Sequence, residues 1–161
     1  MTQKAIPMTE EGISDAPSTY VKKEYTTFVV EREIDAPRDV AWNVLLGLIE
    51  KNVGGYLIEG DPAPHGLGAV LTLPLPGQEL REEVISFEPP WRRVYEISGA
   101  PVTLYQGTTA LTDHGDGCLM VWSLLIDPLP NGESDGFIAL SQQVITAFVD
   151  QIKIAAESSA K

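Results

Sequence analysis

Pro89-Pro90-Trp91-Arg92-Arg93-Val94-Tyr95-Glu96-Ile97 opens the stretch that decides the fold. It continues through Val102–Leu111, the turn Asp113-His114-Gly115-Asp116-Gly117, and Cys118–Ile126. Proline pairs turn the chain, and Val, Tyr, Ile and Trp at alternating positions favour extended backbone. Three consecutive strands are therefore expected, joined by short turns and lying antiparallel. Just beyond them, Glu133 to Ala156 has the 3.6-residue period of a helix. Gln142, Gln143, Thr146, Asp150, Lys153 and Glu157 fall on one narrow polar face. Phe137, Ile138, Leu140, Val144, Ile145, Phe148, Val149 and Ile152 fill the rest, with Ser141 and Gln151 as polar intruders. That apolar arc is wider than the roughly 100° an ordinary surface helix needs. It fits a helix lying in the trough of a curved sheet with an apolar space between them. Asn131 to Asp135 offers several N-cap residues.

Working toward the N-terminus, Glu24–Ile34 is rich in β-branched and aromatic residues and is expected to be strand one. Ile34-Asp35-Ala36-Pro37 ends it. Proline suits the first helical position, and Asp39 in the first turn suits the helix dipole. Pro37 to about Lys51 is expected to form two short helices meeting near Gly47. Val40, Trp42, Val44, Leu45, Leu46, Leu48 and Ile49 make this segment apolar on nearly every side, so it should be wedged between other elements. Gly54-Gly55 restarts the chain, Tyr56–Glu59 is a short strand, and Gly60–Gly68 is a loop by its glycines and prolines. Ala69–Leu75 and Glu79–Phe87 make a hairpin around Pro76-Gly77. The expected architecture is α+β: a seven-stranded curved antiparallel sheet around a long C-terminal helix, with two short helices after strand one. Residues 1–20 are polar, carry Pro7, Gly12 and Pro17, and read as a flexible tail; residues 21–161 read as a single domain.

The 161 residues suffice for one domain with a real core. No apolar run approaches the roughly 20 residues that span a bilayer, and the first residues lack the apolar core of a signal peptide. No membrane insertion and a cytoplasmic location are the resulting expectations. The lone cysteine, Cys118, excludes an internal disulfide framework. With 11 basic and 23 acidic residues the net charge is −12, which repels nucleic acid and anionic surfaces. The sequence leaves oligomeric state open.

The candidate functional residues follow from strand parity. Met120, Trp122, Leu124 and Ile126 share one face of their strand; Tyr105, Thr109 and Leu111 share the face of Gly107 on the neighbouring strand. Trp122 is expected near Gly107, whose missing side chain leaves room for an indole. Taken singly, Trp122 and Tyr105 read as core aromatics; taken together, facing the helix, they read as ligand contacts. Arg93 shares parity with Tyr95 and Ile97, while Glu82 and Glu83 lie on the preceding strand. They form either exposed cross-strand ion pairs or an inward polar anchor of Arg93 with one inward Glu. The residues assigned to a cavity wall are Tyr56, Leu73, Arg93, Tyr95, Tyr105, Met120, Trp122, Phe137 and Ser141. Two separated histidines, His65 and His114, and one strand cysteine make no metal-ligand set, so no metal is expected. Gly66-Leu67-Gly68 leads into a strand rather than opening a helix, so it is no phosphate loop, and no cofactor is expected. The sequence assigns no catalytic residue.

Ile34-Asp35-Ala36-Pro37-Arg38-Asp39-Val40-Ala41-Trp42-Asn43-Val44-Leu45, with Phe87-Glu88-Pro89-Pro90, Tyr105-Gln106-Gly107 and Val121-Trp122-Ser123, resembles the START-like superfamily. This is the helix-grip fold of the birch-pollen allergen, polyketide cyclases and lipid-transfer domains. The likeness covers about Tyr25 to Ala156. It implies a carrier or sensor that binds a small hydrophobic or amphipathic molecule in an internal cavity. A second implied reading is a cyclase or aromatase acting in the same cavity, for which Arg93, Glu83 and Tyr105 supply the ionisable candidates. A third is a protein-interaction module with a filled interior. The fold hosts many functions and does not choose among them.

Overall fold

The computed structural model describes residues 22–75 and 77–161; the tail expected over residues 1–20 lies outside the described residues. The elements run β1 (Thr26–Ile34), α1 (Arg38–Asn52), β2 (Gly55–Ile58), β3 (Val70–Leu75), β4 (Gln78–Glu88), β5 (Arg92–Ser98), β6 (Val102–His114), β7 (Gly117–Pro128) and α2 (Asp135–Ser159). The seven strands form one sheet in the order β1-β7-β6-β5-β4-β3-β2, every neighbouring pair antiparallel. This is the helix-grip architecture expected from the strand pattern, with the curved sheet closed over α2.

The long strands β6 and β7 bury every second residue, so the period-2 pattern marks the inner face directly. Tyr105, Thr109 and Leu111 of β6, and Cys118, Met120, Trp122, Leu124 and Ile126 of β7, are buried there. Against that face, α2 presents Ser141, Ile145, Val149, Ile152 and Ala156, spaced by three and four residues along one stripe. It packs on β1, β7 and α1. Its C-terminal half is fastened to the end of β1. Lys153 donates to the Glu33 carbonyl at 2.7 Å, the Asp35 N–H donates to Glu157 at 3.0 Å, and Arg32 donates to Asp150 at 2.8 Å. The Asp35 N–H, and secondly Lys153, hold the Glu157 carboxyl below its usual pKa.

Where two short helices were expected, α1 runs unbroken from Arg38 to Asn52. Gly47 is exposed and meets nothing within 4 Å. Its weak helix propensity costs about 1 kcal/mol. Burial of Trp42, Leu45 and Ile49 on the opposite side outweighs that. As expected of a segment apolar on several sides, α1 is wedged against α2, β6 and β7. Pro37 sits one position before the helix and accepts the Ala41 N–H at 3.1 Å. The Arg38 guanidinium stacks 3.1 Å from the Trp91 ring centroid and lies 3.2 Å from Asp113. The Pro89-Pro90 turn and the end of β6 are thereby tied to the start of α1.

At the start of α2, Ser134 holds the N-cap position but makes no capping hydrogen bond. Its hydroxyl instead donates to the Pro101 carbonyl at 2.5 Å and accepts the Leu129 N–H at 2.8 Å. The hydroxyl thus fastens the β5–β6 link to the chain entering α2, which the N-cap reading of Asn131–Asp135 did not anticipate.

Candidate functional site

A cavity of about 390 Å³ lies between the sheet and α2. That is at the lower end of the range for small-molecule sites, roughly 300–1,000 Å³. The wall takes Leu73, Pro74 and Leu75 from β3, Leu80 and Glu82 from β4, and Arg93, Tyr95 and Ile97 from β5. Tyr105 of β6, Trp122 of β7 and the C-terminal end of α1 complete one side. The other side is α2, through Phe137, Leu140, Ser141, Val144, Phe148 and Gln151 among others. The wide apolar arc of α2 now has a physical account. Its buried stripe fills the core, while Leu140 and Val144, 43% and 47% exposed, form an apolar rim beside the cavity.

Aromatic rings line the wall in a connected chain. Phe137 meets Tyr105 at 5.9 Å between centroids, Tyr105 meets Tyr95 at 6.3 Å, Tyr95 meets Trp122 at 6.2 Å and Trp122 meets Phe148 at 5.7 Å. Most contacts are edge-to-face, the arrangement that ring quadrupoles favour. The Trp122 indole N–H donates to the Tyr95 hydroxyl at 3.1 Å. Burial pushes the Tyr105 hydroxyl up to about pKa 12, against the opposing effect of hydrogen bonds with Ser141 and Tyr95. Burial likewise pushes the Tyr95 hydroxyl well above its ordinary value. Both are neutral hydrogen-bonding groups at physiological pH. The Ser141 hydroxyl, one helical turn after Phe137, donates to the Phe137 carbonyl at 2.9 Å.

The expected neighbour of Gly107 is corrected by the register. Gly107 stands opposite Tyr95 on β5 and Leu124 on β7, while Trp122 stands opposite Thr109. The Tyr95 ring, not the Trp122 indole, lies over the glycine: a Cβ there would collide with ring atoms of Tyr95. Gly107 is the close-approach glycine that lets the aromatic chain form.

Of the two arrangements left open for the arginine, the inward one is present. Arg93 is 2% exposed and ion-paired with Glu82, itself 8% exposed. The inward acid is Glu82 rather than Glu83. It shares parity with the buried Leu80 and Val84, an alternation legible in the sequence, while Glu83 is exposed. The two are not opposite in the ladder. Glu82 faces Ile97 and Arg93 faces Phe87, with a bulge between Val84 and Ser86. The guanidinium carbon lies 5.0 Å from the Tyr95 ring centroid. Arg93 Nε and the hydroxyl of its register partner Thr109 are buried without a partner.

Leu73, Arg93, Tyr95, Tyr105, Trp122, Phe137 and Ser141 of the residues assigned to the wall are thus brought together. Met120 is not among them. It is fully buried in the packed core that Trp42, Leu45, Val149 and Ile152 also build, leaving no space beside it. Tyr56 also lies outside the wall, because its hydroxyl turns to the loop and contacts His65 Nδ1 at 2.6 Å. His65 Nε2 lies 3.6 Å from Glu50, so one imidazole joins β2, the loop and the end of α1. Sequence reasoning missed Glu82, Leu140, Val144, Phe148 and Gln151 as wall residues. His114 lies at the exposed β6–β7 turn, 3.4 Å from Glu33. Cys118 is buried, which raises its thiol pKa. Among the described residues no group of His, Cys, Asp and Glu converges as a metal site. No helix there is long and apolar enough to cross a membrane.

Burial, and secondly the Arg93 charge, lower the His65 pKa below 6.5, with Glu50 opposing them. The folded state therefore favours neutral imidazole. Its contribution to stability is full above the unfolded value near 6.5 and is lost as pH falls below it. The expected result is an NMR titration midpoint for His65 below 6.5. A His65→Gln variant should lack this component of acid destabilisation in urea melts at stepped pH. A midpoint above 6.5 would contradict the arrangement.

These features define a sheet-and-helix grip around a walled cavity, the START-like class that includes the Bet v 1-like proteins. The chain belongs to the polyketide cyclase / dehydrase and lipid transport family, whose model matches residues 25–157. Among solved structures it is similar to a point mutant of norcoclaurine synthase from Thalictrum flavum in complex with a transition-state analogue. That likeness has TM-score 0.68 and 20% identity, covering 88% of this chain and 100% of that one. It is also similar to the Aha1 dimer from Colwellia psychrerythraea, with TM-score 0.63, 12% identity, and 82% and 96% of the two chains covered. A Rhizobium leguminosarum protein of uncharacterised role gives TM-score 0.62 and 17% identity, covering 85% of this chain and 97% of that one. No curated protein matches this chain by sequence. At these identities the structures share the fold.

Proposed function

We propose that this protein binds a small, largely apolar molecule between the sheet and α2, as a carrier or sensor. The observation that carries this reading is the cavity itself, about 390 Å³ with a wall of aromatic and aliphatic side chains and a few placed polar groups. Burial of apolar ligand surface supplies affinity at about 25 cal/mol per Å². Tyr105 and Ser141 orient the polar part, and Leu73, Tyr95, Trp122 and Phe137 contact the apolar part. Membership in a family described by both cyclase and lipid-transport members supports ligand binding without selecting one activity. The open interior speaks against a purely protein-interaction module of filled core.

The test is a fluorescence titration with N-phenyl-1-naphthylamine, an uncharged apolar probe. Saturable binding with Kd on the order of 10 μM is expected, corresponding to about −7 kcal/mol. Ser141→Trp places an indole in the cavity and should abolish that binding while the far-UV circular dichroism stays unchanged. Binding that survives in the variant, or no saturable binding to the native protein, would overturn the reading.

An enzyme in the same cavity is the second reading. It is favoured by one observation: Glu82 and Tyr105, a carboxylate and a phenol, both line the cavity. A protonated Tyr105 donates a hydrogen bond to a developing oxyanion, and Glu82 accepts a proton in an aldol or dehydration step. Glu82→Gln would then remove turnover but keep probe binding.

A further inference from the structure

We infer that the ligand of this cavity is electrically neutral, and that the buried Glu82–Arg93 pair makes the site discriminate against anions. This rests on the binding role proposed above and specifies the ligand class. An inward arginine in an apolar cavity ordinarily invites a carboxylate. Here the invitation is already taken. Arg93 is the one cationic and Glu82 the one anionic side chain among the described wall residues, and they are paired with each other. Arg93 Nε is sealed from the cavity, and the guanidinium lies against Tyr95.

An anionic ligand entering this site would leave its hydration shell. In exchange it would meet a pair whose attraction and repulsion nearly cancel, leaving one uncompensated charge in a low-dielectric space. The chain's net charge of −12 adds repulsion at longer range. A cation fares no better, since Arg93 stands beside the carboxylate it would seek. The remaining polar side chains on the wall, the hydroxyls of Tyr95, Tyr105 and Ser141 and the amides of Asn52 and Gln151, are uncharged. They fit hydroxyl, carbonyl or ether groups on a molecule whose rings or alkyl parts lie on Trp122 and Phe148.

A matched pair of probes tests this: N-phenyl-1-naphthylamine, and 8-anilinonaphthalene-1-sulfonate, which has the same ring system plus one sulfonate. The native protein at pH 7 is expected to bind the neutral probe at least about 10-fold more tightly. Glu82→Gln frees the Arg93 charge and should tighten the sulfonate by about 10-fold or more while leaving the neutral probe within a few-fold. Arg93→Gln leaves Glu82 alone and should weaken the sulfonate further. Equal or tighter sulfonate binding by the native protein would overturn the inference while leaving the binding role standing. Discrimination that persists unchanged in a folded Glu82→Gln variant would refute the assignment to this ion pair. If neither probe binds, the binding role fails and the inference fails with it. Should one variant not fold, as judged by circular dichroism, the native comparison still decides the charge class of the ligand, and the other single variant decides the assignment to the pair.

Discussion

Glu82→Ala is expected to destabilise the protein by about 3–5 kcal/mol, because it leaves the Arg93 guanidinium charged, buried and unpaired. Arg93 is 2% exposed, so little water reaches the guanidinium to replace the lost carboxylate. Arginine stays protonated under all physiological conditions and cannot escape the penalty by losing its proton. The pair itself need not be stabilising, since the desolvation of two charges offsets much of their attraction. A simultaneous Glu82→Leu and Arg93→Met replacement is therefore expected to fall within about 1–2 kcal/mol of the native protein, in either direction. Urea unfolding of the two single variants and the double variant measures this. A Glu82→Ala cost below about 1 kcal/mol would place the pair in solvent, contrary to its position on the cavity wall.

The second large effect is expected at Gly107. Gly107→Ala should cost about 1–3 kcal/mol or somewhat more, because the new methyl group would occupy the space of the Tyr95 ring. The cost comes from overpacking and not from backbone conformation, since Gly107 is absent from the positive-φ glycines of this chain. Tyr95→Phe removes the hydroxyl, which also collides, but keeps the two colliding ring carbons and gives little relief. Tyr95→Leu removes them, so adding Gly107→Ala to that background should cost markedly less. A double-mutant cycle reads the difference as a coupling of about 1 kcal/mol or more. Additive costs would mean that the ring does not lie over this glycine. The displaced ring would also disturb the Trp122 indole, whose N–H donates to the Tyr95 hydroxyl, so a shift in tryptophan emission should accompany the loss.

Both effects concern residues whose roles were only half legible beforehand. Strand parity places Arg93, Tyr95, Tyr105 and Trp122 on the inner face because side-chain alternation is a local property of extended backbone. The same alternation, applied from Leu80 and Val84, selects Glu82. Which residue meets which across strands is a different kind of information. The bulge between Val84 and Ser86 and the register of β5 on β6 put Tyr95 over Gly107, and no period along one strand encodes that offset. Met120 and Trp122 share a face, yet only Trp122 reaches the cavity. The helices fill the trough beside one and leave it open beside the other. Gly47 shows the converse. A locally unfavourable residue suggested a break in α1, and burial of Trp42, Leu45 and Ile49 carried the helix through it.

The helix-grip architecture was implied by the family resemblance; by itself, the order of apolar and polar residues determined the seven strands, the two helical regions and the inward faces. Each follows from periodicity and turn chemistry acting over a few residues. Tertiary structure alone decided where space remains, that Arg93 is neutralised by Glu82, and that Tyr56 serves the His65 contact instead of the wall. Voids and charge pairings are set by how several elements meet at once, and packing distances between distant segments are not written in any one of them.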